Sequence, residues 1–292
     1  MLTGILSTAT AFTIWGIFPV YLKLLKEVSP LEILSHRVVW SIAFLSVVLL
    51  WRKQWGWIGT LRGNPRIGLS FVASAASLGA NWVIYIWAIN ADRIIDASLG
   101  YFITPLFNVL FGILLGERLL GVQWLAVALA ACGVGWLTVT AGQLPWIGLL
   151  LAISFSLYGL LRKTAALGAL EGLAVETLVM LPLAALYLLW PDSSYVGASS
   201  HAFSNGPLTL SLLLMAAGPV TAIPLLMFAY GARRIPLSIV GLLQYIGPSI
   251  QLLLGIWLYH EPFGEAKLMG YVLIWLGLAV FSLHSLWKAW RR

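Results

Sequence analysis

Charge is the scarcest thing in this sequence. Asp, Glu, Lys and Arg make up 9% of its 292 residues, against about 25% in soluble globular domains. That excludes a soluble protein. Hydrophobic residues reach 61%, which excludes disorder as well, because disordered chains are poor in apolar residues. Cysteine is nearly absent. The single Cys132 leaves no internal disulfide and no cysteine metal cluster. The four histidines, His36, His201, His260 and His284, are scattered, so neither a metal nor another cofactor is expected. The GxSxG, HExxH, GxGxxG and P-loop patterns are all missing, which removes the usual nucleophile, zinc, dinucleotide and nucleotide sites. Ser199-Ser200-His201 has no acid placed beside it by sequence, so no catalytic residue is assigned and the chain is not expected to be an enzyme. The two-residue alternation of a membrane β-barrel is absent too, because the apolar runs are continuous.

What is present is apolar length. Mean hydropathy is +0.94. A spanning helix takes about 20 apolar residues, so a chain of this length holds roughly ten. Ten windows can be drawn: Thr3–Leu22, Glu32–Leu50, Ile67–Asn90, Ala97–Leu115, Val122–Thr140, Leu144–Leu161, Leu173–Leu189, Leu208–Tyr230, Leu237–Tyr259 and Ala266–Leu286. The first has no basic stretch before it and no small-residue cleavage pattern, so it reads as a retained span and not a signal peptide. The 15 tryptophans suit membrane interfaces. Net charge is +7. In a soluble chain that would suggest nucleic acid. Here no nucleic-acid partner is expected, because Lys and Arg collect in cytoplasmic loops. Twelve of the 17 basic residues fall on one face of the ten-window arrangement and four (Lys23, Lys26, Arg93, Lys267) on the other, with Arg37 inside a span. The expected fold class is therefore an all-α integral membrane protein with both termini cytoplasmic.

The windows also repeat. Pro105 and Pro248 are 143 residues apart, as are Trp15-Gly16 and Tyr158-Gly159. Glu32 and Glu176 are 144 apart, as are Glu117 and Glu261. The chain divides into two five-span repeats, residues 3–140 and 144–286. Five is odd, so the second repeat inserts upside down, the arrangement of many secondary transporters.

Several stretches carry a resemblance. They are Ile14-Trp15-Gly16-Ile17-Phe18-Pro19, Glu32-Ile33-Leu34-Ser35-His36-Arg37, Asn81-Trp82, Ala97-Ser98-Leu99-Gly100-Tyr101-Phe102-Ile103, Leu115-Gly116-Glu117-Arg118, Gln123-Trp124-Leu125-Ala126-Val127 and Gln244-Tyr245-Ile246-Gly247-Pro248. Together they resemble the EamA-domain branch of the drug/metabolite transporter superfamily, from about residue 3 to about residue 285. Thr104 departs from the pattern, which has Asn there, and the polar leader of the family is absent. The resemblance implies a permease of the bacterial inner membrane. Its central cavity would be lined by spans one to four and six to nine, with the fifth and tenth spans peripheral.

The polar residues inside the windows are the candidate site. Arg37 is the most costly, at about 2.5–3.5 kcal/mol for a central arginine on insertion scales. It either snorkels to the interface or clamps an anion through its planar fork. Ile33, Arg37 and Trp40 share a helical face. His36 beside them is either a hydrogen-bonded structural histidine or a proton-coupling group titrating near neutral pH. Asn81, Trp82 and Tyr85 lie mid-span, where an amide must find a partner because lipid offers none. Tyr101, Thr104, Pro105 and Asn108 form one stripe; Gln244, Tyr245, Pro248 and Gln251 form its counterpart. The two prolines are expected to break or hinge their helices. Trp15 and Tyr158 complete an aromatic lining. Glu176 is the one acid placed to carry a proton within a span, or it caps a helix at the interface. Gly112 and Gly116 form a GxxxG, and Ala126, Ala130 and Gly133 a small-residue stripe, both signs of close helix packing.

The reading is a secondary transporter for small solutes such as amino-acid-like metabolites or drugs. Its partners are a small-molecule substrate and the lipid bilayer, and it acts as a monomer or homodimer. The alternatives are a membrane-embedded receptor or assembly factor, or an intramembrane enzyme.

Overall fold

The computed structural model describes residues 1–53, 55–114, 121–163, 165–189, 202–232, 234–235, 239–240 and 243–290. The described chain is helical throughout and contains no strand. Its helices are α1 (Leu2–Lys23), α2 (Pro30–Arg52), α3 (Gly56–Gly63), α4 (Pro65–Asn90), α5 (Ile94–Leu114), α6 (Gly121–Ala141), α7 (Trp146–Lys163), α8 (Ala169–Leu189), α9 (Ala202–Asn205), α10 (Leu208–Ala232), α11 (Ile246–Leu253) and α12 (Glu265–Trp290). A π turn, Leu254–Leu258, continues α11. Seven of these helices are long and apolar enough to cross a membrane: α1, α2, α4, α6, α8, α10 and α12. Trp146–Arg162 and Ile246–Leu258 are shorter apolar stretches. Inside lipid a helix satisfies its own backbone groups, which is why apolar runs of this length take no other form.

The ends are set by familiar local chemistry. Pro30 and Pro65 stand at the starts of α2 and α4, where a missing N–H is no loss. Asn64 accepts the Arg66 backbone N–H at 3.0 Å as an N-cap. Lys53 closes α2 in the left-handed region at φ 53°. The start of α5 is capped from elsewhere in the chain: Glu261 accepts the N–H of Ile94 at 2.6 Å and of Ile95 at 2.9 Å.

Two features differ from the pattern in the sequence. The α2–α4 connection contains the short helix α3, which is too brief for hydrophobic periodicity to register. The two prolines also behave unequally. Pro105 lies within an unbroken α5, whereas the chain turns at Gln244–Tyr245, just before Pro248, and only then enters α11. A proline removes the bond to the carbonyl four residues back. In α5 the neighbouring Thr104 carbonyl takes a hydrogen bond from Ser156 of α7 at 3.1 Å, which ties the backbone beside the proline to a second helix.

Packing pairs α1 with α10 and α11, α4 with α7 and α8, α2 with α8 and α10, and α5 with α7 and α11. Helices α6 and α12 pack on each other. Their contact is close: a Cβ at Gly133 would lie 2.7 Å from the Gly270 carbonyl oxygen, so the Ala126–Ala130–Gly133 stripe is a packing seam. At Gly218 a Cβ would lie 2.3 Å from the Trp40 carbonyl. Glycine there lets α10 press against α2 and brings Thr221 beside Arg37. Gly116, Glu117 and Arg118, and Ser199-Ser200-His201, lie outside the described residues.

Candidate functional site

Arg37 is buried, with 6% of its surface exposed. It does not snorkel. Its Nε donates to Thr221 Oγ1 on α10 at 2.7 Å, and Thr221 in turn donates to the Ala217 carbonyl at 2.7 Å. The guanidinium sits 3.9 Å from the centre of the Trp82 ring on α4 and 5.0 Å from that of Phe18 on α1. Cation–π contacts of a desolvated group are worth about 2 kcal/mol, and a hydrogen bond to a charged group about 1.5–3 kcal/mol. Together they offset the cost of burying the charge, yet they do not neutralise it. Nη1 is buried without a hydrogen-bond partner. Among the described residues no carboxylate lies within 4.0 Å of Arg37. The hydroxyls of Tyr101, Tyr21 and Tyr85 lie around it.

Those hydroxyls belong to an aromatic and amide wall around the arginine. Phe18 stacks on Tyr85 at 6.2 Å, and Tyr85 meets Tyr101 edge-on at 5.7 Å. Tyr101 Oη donates to Asn81 Oδ1 at 3.4 Å. The Asn81 amide donates to the Leu151 carbonyl at 3.1 Å and to Ser154 Oγ at 3.0 Å, both on α7. Asn81 thus does both things expected of it, joining helices and facing the arginine's aromatic wall. Gln251 donates to the Trp15 carbonyl at 3.1 Å, and Trp15 packs against Phe12 and Phe228. Side chains from α1, α2, α4, α5, α10 and α11 therefore meet at one place.

Several expected members stand elsewhere. His36 follows its neighbour by about 100° around α2 and stacks on Phe203 of α9 at 4.7 Å. Neither of its ring nitrogens has a partner. Trp40 also leans on Phe203, at 6.3 Å, and Glu32 accepts the Phe203 N–H at 3.4 Å. Glu32, His36 and Trp40 thus gather around Phe203. Thr104 spends its hydroxyl on the Gly100 carbonyl at 2.9 Å. Tyr245 stacks on Phe102 at 6.5 Å in the layer facing α12. Gln244 is half-buried at the turn, and Asn108 is exposed, two helical turns along the Tyr101 face of α5.

A second polar cluster lies at the other end of α2. Glu176 on α8 is fully buried. It accepts Ser74 Oγ at 2.5 Å and Tyr158 Oη at 3.4 Å, and Arg162 Nε lies 3.7 Å away. Arg162 also donates to the Gly168 carbonyl at 2.9 Å and lies over the Phe71 ring. A Cβ at Gly172 would stand 1.8 Å from Arg162 Nη1, so this glycine is what admits the guanidinium. Glu176 is therefore a paired carboxylate and not an interfacial cap. Charge counting assigns Arg162 to a loop and misses it; the signal was its place one turn after Tyr158 on the same face. Thr221 and Tyr21 gave no signal at all.

The Arg37 end of the bundle carries an ionic contact between loops. Lys23 and Lys26 both pair with Asp92, and Lys23, with Lys26, holds that carboxyl below its usual range. Asp92 in return pushes Lys26 up. Glu261 is pushed up, because the burial of its carboxyl outweighs the two backbone N–H groups it accepts.

The family profile described as "EamA-like transporter family" matches residues 2–139 and again residues 145–283. An uncharacterized transporter of Vibrio cholerae is 47% identical over 284 residues, covering 97% of this chain and 93% of its own. Protein RarD of Escherichia coli K12 is 45% identical over 286 residues, covering 97% and 95%. A solved crystal structure shares the fold with a TM-score of 0.61 at 21% identity, covering 97% of each chain.

Proposed function

Given that the chain belongs to the EamA-like transporter family and is a multi-pass protein of the bacterial inner membrane, we propose that it is a secondary transporter that carries a small amphiphilic solute by alternating access. The solute binds against Arg37, with Trp82, Phe18, Tyr85 and Tyr101 around its apolar body. The single observation behind this reading is a buried arginine, where helices of both halves meet, that no carboxylate among the described residues neutralises.

An inverted repeat of residues 3–140 and 144–286 is consistent with the packing. Under the 143-residue offset α1 corresponds to α7 and α4 to α10, so the α1–α10 pair is the counterpart of the α4–α7 pair. The same rule exchanges α2–α10 with α8–α4, and α5–α7 with α11–α1. All six pairs are present. Two halves of one design can exchange inward-open and outward-open shapes. In this scheme the Lys23–Lys26–Asp92 contact and the Glu32–Phe203 contact close the outer end, and the Glu176–Arg162 pair closes the cytoplasmic end. His36 and Glu176 are the proton-coupling candidates, Glu176 because protonation would release Arg162.

Uptake into proteoliposomes of the purified protein tests the proposal. The panel holds amino acids, aromatic carboxylates and chloramphenicol-like compounds, each with and without an imposed pH gradient. Saturable uptake lost in Arg37→Gln is expected. Saturable uptake that ignores the gradient would remove the coupling role of His36 and Glu176. Absence of flux for every compound would favour a receptor or assembly role.

A further inference from the structure

We infer that the Arg37 site takes a solute with one net negative charge, an organic carboxylate with an aromatic or apolar body, and discriminates against zwitterions and cations. The inference rests on the transport reading only for where the site leads; the selectivity follows from the charges that surround it.

The site holds one permanent positive charge. Among the described residues no carboxylate lies within 4.0 Å of it, and the acids of the bundle have partners of their own. Glu32, on the same helix, accepts the Phe203 N–H. Glu176 is held by Ser74, Tyr158 and Arg162. Glu261 caps α5, and Asp92 is shared by two lysines. Around Arg37 stand the Thr221 hydroxyl and the phenols of Tyr101, Tyr21 and Tyr85. A carboxylate bound there closes the charge balance that the fold leaves open, and the buried Nη1 supplies a donor for it. Charge-assisted hydrogen bonds of this kind are about twice as strong as neutral ones.

A zwitterion brings an ammonium as well. That group needs a carboxylate, or several acceptors, or an open aromatic face. The Trp82 and Phe18 faces are already covered by Arg37. Asn81 Oδ1 is engaged by Tyr101. Gln251 Oε1 and Tyr85 Oη remain, two neutral acceptors and no carboxylate. An ammonium would then be desolvated beside a guanidinium of like charge, the arrangement that most disfavours a charged group. A cation meets the same repulsion with no compensating carboxylate.

The experiment compares four probes with one aromatic body: 3-phenylpropionate, phenylalanine, phenethylamine and 3-phenylpropanol. Binding to the detergent-purified full-length protein is read by quenching of tryptophan fluorescence and by thermal shift. The anion is expected to bind at least tenfold more tightly than the zwitterion, with the cation weakest. Arg37→Lys is expected to keep the ranking at reduced affinity. Arg37→Gln is expected to remove the advantage of the anion over the alcohol. Binding of phenylalanine as tight as that of phenylpropionate overturns the inference, as does binding of none of the four. Proteoliposome flux separates the two claims. Anion-selective binding without flux would sink the transport reading alone, and saturable flux of the zwitterion in preference to the anion would sink this inference alone.

Discussion

Arg37 is buried in this bundle and Arg162 half-buried, and their surroundings differ in one decisive respect. Arg162 shares its pocket with Glu176, whereas Arg37 shares its own with rings and hydroxyls. Both have an Nη1 without a hydrogen-bond partner and both lie over an aromatic ring. The contrast is therefore one of charge and not of hydrogen-bond count. A buried ion pair is neutral as a unit, and breaking it leaves an uncompensated charge. A buried arginine held by cation–π contacts and one neutral hydroxyl remains a net charge, ready for a partner from outside the chain. On the proposed reading, the first arrangement holds the protein together and the second selects what it binds.

The largest expected effect breaks the neutral pair. Glu176→Ala should destabilise the protein by about 3–5 kcal/mol, the usual loss when one partner of a buried pair is removed. The loss is read as thermal unfolding in detergent. The double variant with Arg162→Leu should recover part of it. If the double is no more stable than Glu176→Ala alone, the pair is not a coupled unit.

Arg37→Gln should behave in the opposite way. Its fold should be unharmed or steadier, since an expensive charge has gone, while solute binding should weaken by about 10- to 100-fold, the equivalent of about 1.5–3 kcal/mol for a charged hydrogen bond. A large drop in melting temperature with unchanged binding would assign Arg37 to structure and erase the contrast.

A smaller change sharpens the Arg162 side. Gly172→Ala places a methyl where the guanidinium now lies and should cost about 1–3 kcal/mol, as overpacking does. The effect should shrink in an Arg162→Ala background, because the clash is with that side chain. An equal effect in both backgrounds would mean that backbone, not the guanidinium, resists the methyl.

The smallest effect concerns the loop charges. Asp92 has its pKa depressed by Lys23 and Lys26, so its stabilisation is fully present above the ordinary aspartate value. It is lost as pH falls through the depressed one. Asp92→Asn should thus be slightly less stable than the parent at neutral pH and equal to it at the acid end of a melting series. A gap that persists at low pH would mean the contact is not ionic.

Much of the frame was legible because lipid permits so few structures. The windows Thr3–Leu22 and Val122–Thr140 lie within one residue or so of α1 and α6. The weight given to Arg37, Asn81 and Glu176 came from depth within a span, and that given to Tyr101 from its stripe beside Pro105; both are readable. What was not legible was direction. His36 and Arg37 are adjacent, yet one stacks on Phe203 and the other on Trp82. Only the tertiary placement of α9 and α4 decides that. Arg162 looked like a loop charge because a hole at Gly172 leaves no trace in hydropathy. The inequality of Pro105 and Pro248 has the same origin. Ser156, on another helix, ties down the α5 backbone beside the first proline.

The central claim is that the unneutralised charge of Arg37 is the binding determinant of a permease. The most direct measurement is uptake of radiolabelled 3-phenylpropionate into proteoliposomes of the wild type and of Arg37→Gln, with the melting temperature of each recorded alongside. The account predicts saturable uptake by the wild type and none by the variant, at equal or higher thermal stability. Equal uptake by the two proteins would contradict it.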